Sequence, residues 1–139
     1  MTDQHTTKAF DIDLQDLSRM VAEMGGLAEK LVADSADALV KRDTALAQRV
    51  TQQDAAIDAL QREIEEKSVL TIARRQPMAV DLREIVGALR LANDLERIGD
   101  LAKNIAKRVI ALNSEFPPPK LIRGVEHMTD LVLGQLKAV

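Results

Sequence analysis

The chain has 139 residues, of which 46% are apolar, enough to bury the core of one domain without a metal ion or a disulfide. It has no cysteine, which excludes disulfides, thiolate metal sites and thiol nucleophiles and fits a reducing compartment. The formal net charge is -3, and basic residues are interspersed with acidic ones, so nucleic acid is not expected as a partner.

The core is expected to be aliphatic, because Phe10 and Phe116 are the only aromatic residues in the chain. Such a core is typical of helical bundles. The first eight residues are polar, and no later run approaches the roughly 20 apolar residues that span a bilayer. We therefore expect a cytoplasmic protein without a signal peptide or a membrane anchor.

Apolar residues recur every three or four positions over two long stretches, which predicts two long amphipathic helices in the first half of the chain. The first helix is predicted from Leu14 to about Lys41. The second begins near Asp43, a residue type that caps helix N-termini, and it ends before Pro77. The short connection predicts that the two helices pack antiparallel.

A third helix is predicted from about Met78 to Asn113, and its apolar residues change sides near its middle. Its first half carries Leu82, Ile85, Val86 and Leu89. On roughly the opposite side, its second half carries Leu91, Leu95, Ile98, Ala102, Ile105 and Val109. Because such a helix must be covered on two sides, we predict an all-α, up-down-up three-helix bundle with the third helix at its centre.

A run of three prolines ends this region, and it predicts a stiff polyproline spacer and a domain boundary. We assign residues 1–113 to the first bundle, residues 114–119 to the linker and residues 120–139 to the start of a second, truncated bundle. An unpaired fourth helix would need a partner, such as another chain.

The fourth helix repeats a pattern from the first, at a distance of 104 residues. The residues Leu121, Arg123, Val125, Met128 and Leu131 match Leu17, Arg19, Val21, Met24 and Leu27. Matches of this kind also arise between unrelated amphipathic helices, so internal duplication and chance both stay open.

Polar side chains spaced by four residues form one row on each of two helices. Glu96, Asp100 and Asn104 share one face of the third helix, and Asp54 and Asp58 repeat the spacing on the second. Acidic residues at this spacing also occur on ordinary solvated faces, so a functional role depends on whether the two rows meet.

The two rows meet if the second and third helices pack antiparallel about Pro77, because residues at equal distance from Pro77 then lie level. Three pairs fulfil this condition: Asp54 with Asp100, Asp58 with Glu96, and Gln61 with Asn93. Four facing carboxylates would repel one another in a poorly hydrated groove, and a bound cation would remove that penalty. Oxygen donors without a nearby histidine favour magnesium, manganese or iron over structural zinc.

Other interpretations of these residues remain open. The acidic residues could be solvated and inert, or neutralised by Arg62 and Arg97, which lie near them in sequence. The pair Arg74 and Arg75 could complement the C-terminus of the second helix or bind an anion or a partner. The sequence has no nucleotide-binding loop, no His-Glu-x-x-His motif and no Glu-x-x-His pair, so we do not expect an enzyme.

Two motifs resemble the PhoU family of bacterial phosphate-transport accessory proteins and phosphate-signalling regulators. They are Arg75-Gln76-Pro77 followed by Asp81-Leu82-Arg83, and Glu96-Arg97-Ile98-Gly99-Asp100 extended to Asn104. The resemblance spans about Leu14 to Leu112 and implies a protein of two similar three-helix bundles, of which this chain would contain the first and the start of the second. It implies a metal role for Glu96, Asp100 and Asn104, with Asp54 and Asp58 fitting by spacing. The implied cofactor is a divalent or trivalent ion: magnesium, manganese, iron or zinc.

The function implied by the resemblance is that of a cytoplasmic regulator of phosphate uptake that represses the phosphate-starvation response. Its implied partners are the ATPase of the phosphate ABC transporter, a phosphate-responsive sensor histidine kinase and a second copy of itself, with membrane association only through these partners. We hypothesise that a metal-bridged groove fixes the surface that contacts them. The competing hypotheses are a structural helical module with an inert acidic row, and a metallohydrolase dependent on Glu96 and Asp100.

Overall fold

The computed structural model describes residues 2–112 and 119–138, with side chains from residue 8 onward. In this part of the chain it has four helices: α1 (Thr2–Lys41), α2 (Thr44–Arg75), α3 (Ala79–Leu112) and α4 (Pro119–Lys137). The helices α1, α2 and α3 each pack against the other two, and α4 packs against α1. The predicted all-α fold, an up-down-up three-helix bundle followed by the helix that would open a second bundle, is confirmed.

The domain limits drawn from the sequence stay a prediction. Of the predicted linker at residues 114–119, only Pro119 lies within the described residues, and it is the first residue of α4. No helix in the described ranges combines the length and the apolar character that a membrane crossing requires.

The turn between α1 and α2 is formed by two residues with different tasks. Arg42 has a φ of 56°, the left-handed conformation that often ends a helix. The backbone N–H of Asp43 then donates to the carbonyl of Ala38 at 2.9 Å, which closes the end of α1. The Asp43 side chain accepts from the backbone N–H of Leu46 at 3.0 Å and caps α2, as its sequence position predicted.

The turn between α2 and α3 sets the antiparallel alignment of these two helices. Gln76 adopts a left-handed conformation with φ 45° and ψ 61°, and its backbone N–H donates to the carbonyl of Ile72 at 3.1 Å. Pro77 follows and cannot continue the helix, so the chain reverses within three residues and α3 begins at Ala79.

A single aliphatic core lies between α1, α2 and α3. Its largest fully buried apolar side chains are Leu17, Met24, Leu31, Val50, Ile57, Ile64, Ile85 and Val109. Phe10 also belongs to this core, whereas Phe116 falls outside the described residues. No described residue of α4 is buried, although Leu136 near its end packs against the core.

The prediction that α3 is central and covered on two sides is wrong. Its buried residues form one continuous stripe: Ile85, Ala92, Leu95, Gly99, Ala102, Ala106 and Val109. Leu82 and Val86, assigned to the other side, are 38% and 36% exposed. The physical reason is that α1 and α2 also pack against each other, so both lie against the same side of α3 and no helix is central. Four of the seven residues of this stripe are small, so a pattern built on large apolar residues does not reveal it. These four are Ala92, Gly99, Ala102 and Ala106.

A cluster of ion pairs joins the beginning of α1 to the end of α2. The Nζ atom of Lys67 lies 3.4 Å from a carboxylate oxygen of Asp13 and 3.4 Å from one of Asp16. The Nε atom of Arg75 lies 3.4 Å from the other oxygen of Asp13. Arg75 therefore has a role that neither sequence interpretation of the Arg74 and Arg75 pair included, because it holds α2 against α1.

Replacing the shared carboxylate should weaken this connection. We expect Asp13→Asn to lower the free energy of unfolding by about 1 kcal/mol, because two partly buried ion pairs lose one partner. Urea unfolding at low salt checks this, with Asp11→Asn as the control for an exposed acidic residue of the same helix. Equal effects of the two variants, or an Asp13→Asn effect that does not shrink in 1 M salt, would contradict the ion-pair role.

Candidate functional site

The register between α2 and α3 brings the two acidic rows together. The side-chain amide of Gln61 donates to that of Asn93 at 2.5 Å, so the level pairing predicted for these two residues is confirmed. Beyond this contact, Asp58 lies close enough to raise the pKa of Glu96, and Asp100 does the same to Asp54. We call these four carboxylates, Asp54, Asp58, Glu96 and Asp100, the acidic seam.

Asp54 is the buried member of the acidic seam, with only 2% of its surface exposed. Its Oδ2 atom lies 3.6 Å from the Nζ atom of Lys103, which follows Asp100 by three residues on α3. Its Oδ1 atom is buried without a hydrogen-bond partner among the described residues. Burial disfavours the ionised form of this carboxyl group, because the oxygen has lost its contacts with water and has gained no hydrogen-bond donor in exchange.

The burial of Asp54 depends on a glycine of the facing helix. A Cβ atom added at Gly99 would lie 2.9 Å from Cδ1 of Ile57 and 3.1 Å from Oδ1 of Asp54. Both distances are shorter than ordinary van der Waals contact, so α2 and α3 can approach this closely only where α3 has no side chain.

The acidic seam raises the pKa of two of its own carboxyl groups. Burial raises the pKa of Asp54, and the charges of Asp58 and Asp100 raise it further, while Lys103 acts in the opposite direction. Burial also raises the pKa of Glu96, together with the charges of the other three acids, while Arg97 opposes the rise. The acidic seam therefore favours any positive charge that reaches it, whether a proton, a side-chain cation or an ion.

The cation that forms an ion pair within the acidic seam is not one of the two considered from sequence, although the charge of Arg97 acts on Glu96. Arg62 donates from Nε to the backbone carbonyl of Asp58 at 3.4 Å, and no described ion pair joins it to a carboxylate. Lys103 supplies the ammonium beside Asp54 instead. Sequence reasoning missed it, although Lys103 lies seven residues after Glu96 and two helical turns place it on the same face.

The acidic seam supplies the donor type that hard cations prefer, but its side chains do not form a coordination sphere. Within the described part of the chain, no three acidic or histidine side chains converge so that they could share an ion. Asn104, the fifth predicted ligand, is exposed, and no described hydrogen bond joins it to the acidic seam. The proximity of the four carboxylates is thus observed, whereas their role as metal ligands stays a prediction.

A second concave feature lies on the other side of α3. A groove of about 710 Å³ separates α1 from α3 and is bordered by Leu136 near the end of α4. Small residues line it, and a Cβ atom added at Gly25, Gly26 or Gly87 would meet nothing within 4 Å. The polar residues that line the groove are Ser18, Glu29, Glu84 and Lys137.

Known proteins resemble the chain over nearly its whole length. The family model described as "PhoU domain" matches residues 21–109, which include the acidic seam. The "Phosphate-specific transport system accessory protein PhoU homolog" of Rhizobium meliloti (strain 1021) is 56% identical over 139 residues, covering 100% of this chain and 59% of the relative. The protein of the same description from Caulobacter vibrioides (strain NA1000 / CB15N) is 48% identical over 136 residues, covering 98% of this chain and 59% of the relative.

A solved structure agrees with the helix packing. The crystal structure of PhoU from Pseudomonas aeruginosa superimposes with a TM-score of 0.87 at 40% identity, covering 92% of this chain and 61% of that chain. The present chain therefore spans about 59% of the length of the curated relatives described here.

The close approach at Gly99 predicts a difference between two glycines of α3. We expect Gly99→Ala to lower the free energy of unfolding by about 1–3 kcal/mol, because Ile57 and Asp54 must move. Gly87→Ala is the matched control, and it should raise stability by about 0.5–1 kcal/mol because its Cβ meets open space on a helix. Urea unfolding of both variants is the measurement, and a Gly99→Ala variant as stable as Gly87→Ala would contradict the packing.

The raised pKa values predict the pH dependence of stability. A carboxyl group whose pKa is raised in the folded state binds more protons there than in the unfolded state. Its contribution to the free energy of unfolding therefore falls as pH rises. Glu96→Gln should therefore increase the free energy of unfolding at pH 7.5 in EDTA, with a smaller gain at pH 5. Urea unfolding at both pH values measures this, with the exposed Glu66→Gln as control. A gain that grows toward pH 5 would contradict the sign.

Proposed function

The chain belongs to the PhoU family, and from that premise we propose that it regulates phosphate uptake and represses the phosphate-starvation response. The observation that carries the proposal is the match along the whole chain to a relative named as an accessory protein of phosphate-specific transport. The family model also covers both sequence motifs that first suggested this role. Because the chain spans part of the length of its relatives, the proposal concerns the protein that contains it.

We propose that the function is binding rather than catalysis. The relatives are named for an accessory role in transport, and a regulator of this kind acts by favouring one state of a partner. The acidic seam supports this assignment, because it offers a charged stripe at the surface with one buried carboxylate beneath it.

The proposed partners are the ATPase of the phosphate ABC transporter and a phosphate-responsive sensor histidine kinase, both reached from the cytoplasm. Contact with a membrane would then come only through them. Exposed apolar residues near the turn between α2 and α3 support a contact surface, since Val69, Met78 and Val80 all lie largely in solvent. The exposed Leu121 and Met128 of α4 support the further proposal of a homodimer.

Cation binding at the acidic seam is a separate proposal, with magnesium, manganese, iron or zinc as the candidates. Its support is chemical, because carboxylates that raise one another's pKa gain from a positive charge. Asp58 and Asp100 reach the surface and can turn, whereas Asp54 is fixed by packing. One observation favours the alternative of an inert helical module: Lys103 already provides a positive charge beside Asp54.

The regulatory proposal predicts the behaviour of a reporter for the phosphate-starvation response. Deleting the gene that encodes this chain should raise reporter output in phosphate-replete cells, because the repressing partner of the kinase is missing. The intact gene supplied on a plasmid should restore repression, and an empty plasmid should not. A reporter that stays silent after deletion would overturn the proposal and leave the inert module as the better description.

A further inference from the structure

Four arginines lie on one line along the outer side of α3, and we call them the arginine ladder. They are Arg83, Arg90, Arg97 and Arg108. The first three are spaced by seven residues, close to two helical turns, and the last follows by eleven residues, close to three turns. Each of the first three lies two positions before a buried residue: Ile85, Ala92 and Gly99. A step of two residues turns about 200° around a helix, so the ladder faces away from the core.

The arginine ladder carries charge that no ion pair of the bundle uses. All four residues are exposed, and within residues 8–112 and 119–138 no ion pair or hydrogen bond joins them to another side chain. Other cations of the bundle differ, since Lys67, Arg75 and Lys103 each pair with an acidic residue of a facing helix. The ladder therefore presents four guanidinium groups to molecules outside the bundle.

Two exposed apolar residues continue the line between Arg97 and Arg108. Leu101 is 62% exposed and Ile105 is 41% exposed. Each follows the previous member of the line by four residues, so both lie close to the ladder on the same side of α3. Apolar residues flanked by charged ones are typical of interfaces between helices, in which the apolar residues become buried and the charges select the partner.

The surroundings of the arginine ladder favour a narrow acidic partner over a broad one. Asp94 follows Arg90 by four residues and Asp100 follows Arg97 by three, so the two acids lie on opposite sides of the line. An anionic membrane or a nucleic acid would place its charges against these acids as well as against the ladder, and they would repel it. A single helix, about 10 Å wide, can follow the line between them.

We propose that the arginine ladder docks an amphipathic helix of a partner protein whose exposed face is acidic. Two helices that cross at about 20° stay in contact over several turns, so acidic side chains spaced by seven residues would lie opposite the arginines. A guanidinium group binds a carboxylate through two parallel hydrogen bonds, and apolar residues of the partner would cover Leu101 and Ile105. The inference rests on the proposed binding function and adds the surface and the chemistry of the partner.

The first test measures binding to two purified probes, the ATPase of the phosphate transporter and the cytoplasmic part of the sensor kinase. We expect the ladder variant, Arg90→Glu with Arg97→Glu, to bind one probe about tenfold more weakly than wild type at low salt. The control variant, Arg49→Glu with Arg123→Glu, makes the same change of net charge at exposed arginines of α2 and α4. It should stay within about twofold of wild type. Equal weakening by both variants, or no binding of either probe by wild type, overturns the inference.

Folding of the variants is checked by thermal unfolding before binding is compared. If the ladder variant melts at a lower temperature than the control variant, Arg90→Gln with Arg97→Gln replaces it. This milder pair removes the two charges without adding acids beside Asp94 and Asp100. It should still weaken binding of the same probe, and wild-type affinity from this pair would overturn the inference.

The second test identifies what covers the arginine ladder. Hydrogen exchange of the bound probe should show protection in one helix that carries acidic residues at seven-residue spacing. Protection confined to a loop or a strand would overturn the helical partner. Sedimentation with vesicles of phosphatidylglycerol and phosphatidylcholine tests the membrane. Vesicle binding that the ladder variant loses, while both variants bind the probes equally, would also overturn the inference.

The reporter for the phosphate-starvation response separates this inference from the proposed function. In phosphate-replete cells the ladder variant should raise reporter output as gene deletion does, at an unchanged protein level, whereas the control variant should repress. Full repression by the ladder variant overturns the inference and leaves the regulatory proposal standing. If gene deletion itself leaves the reporter silent, the regulatory proposal falls, and the binding measurements still decide whether the ladder docks an acidic helix.

Discussion

The close approach of α2 to α3 at Gly99 is the constraint on which the rest of this structure depends. With no Cβ atom at this position, Ile57 and Asp54 of α2 can pack against the backbone of α3. The same contact removes Asp54 from water and places the four carboxylates of the acidic seam within reach of one another. A helix pair held one or two ångströms further apart would admit water between the acids and would weaken their mutual repulsion.

Packing and electrostatics therefore oppose each other along this face. The core gains from the burial of Ile57, while the buried carboxylate of Asp54 would destabilise the fold unless a positive charge lay beside it. Lys103 provides that charge from α3, and the remaining acids reach the surface. The helix pair therefore carries a polar stripe at its surface and one buried carboxylate with an ammonium beside it.

Much of the fold could be predicted from sequence because its determinants are local. The cap at Asp43 and the stop at Pro77 fix where helices begin and end, and equal distances from Pro77 set the register that Gln61 and Asn93 confirm. The side of α3 that faces the core could not be predicted from large apolar residues, since small residues form its stripe. The ion pair of Lys103 with Asp54 could not be predicted from sequence either, because a lysine seven residues after an acidic residue is usually a solvated surface charge. Its partner is defined only once Asp54 is buried by the other helix.

NMR of the Lys103 side chain is the most direct test of the ion pair between Lys103 and Asp54. The experiment records the ¹⁵Nζ signal of Lys103 in EDTA for wild type and for Asp54→Asn. We expect an ammonium that is protected from hydrogen exchange in wild type and that loses this protection in the Asp54→Asn variant. A Lys103 signal that exchanges as fast as that of the exposed Lys107 in EDTA would contradict it.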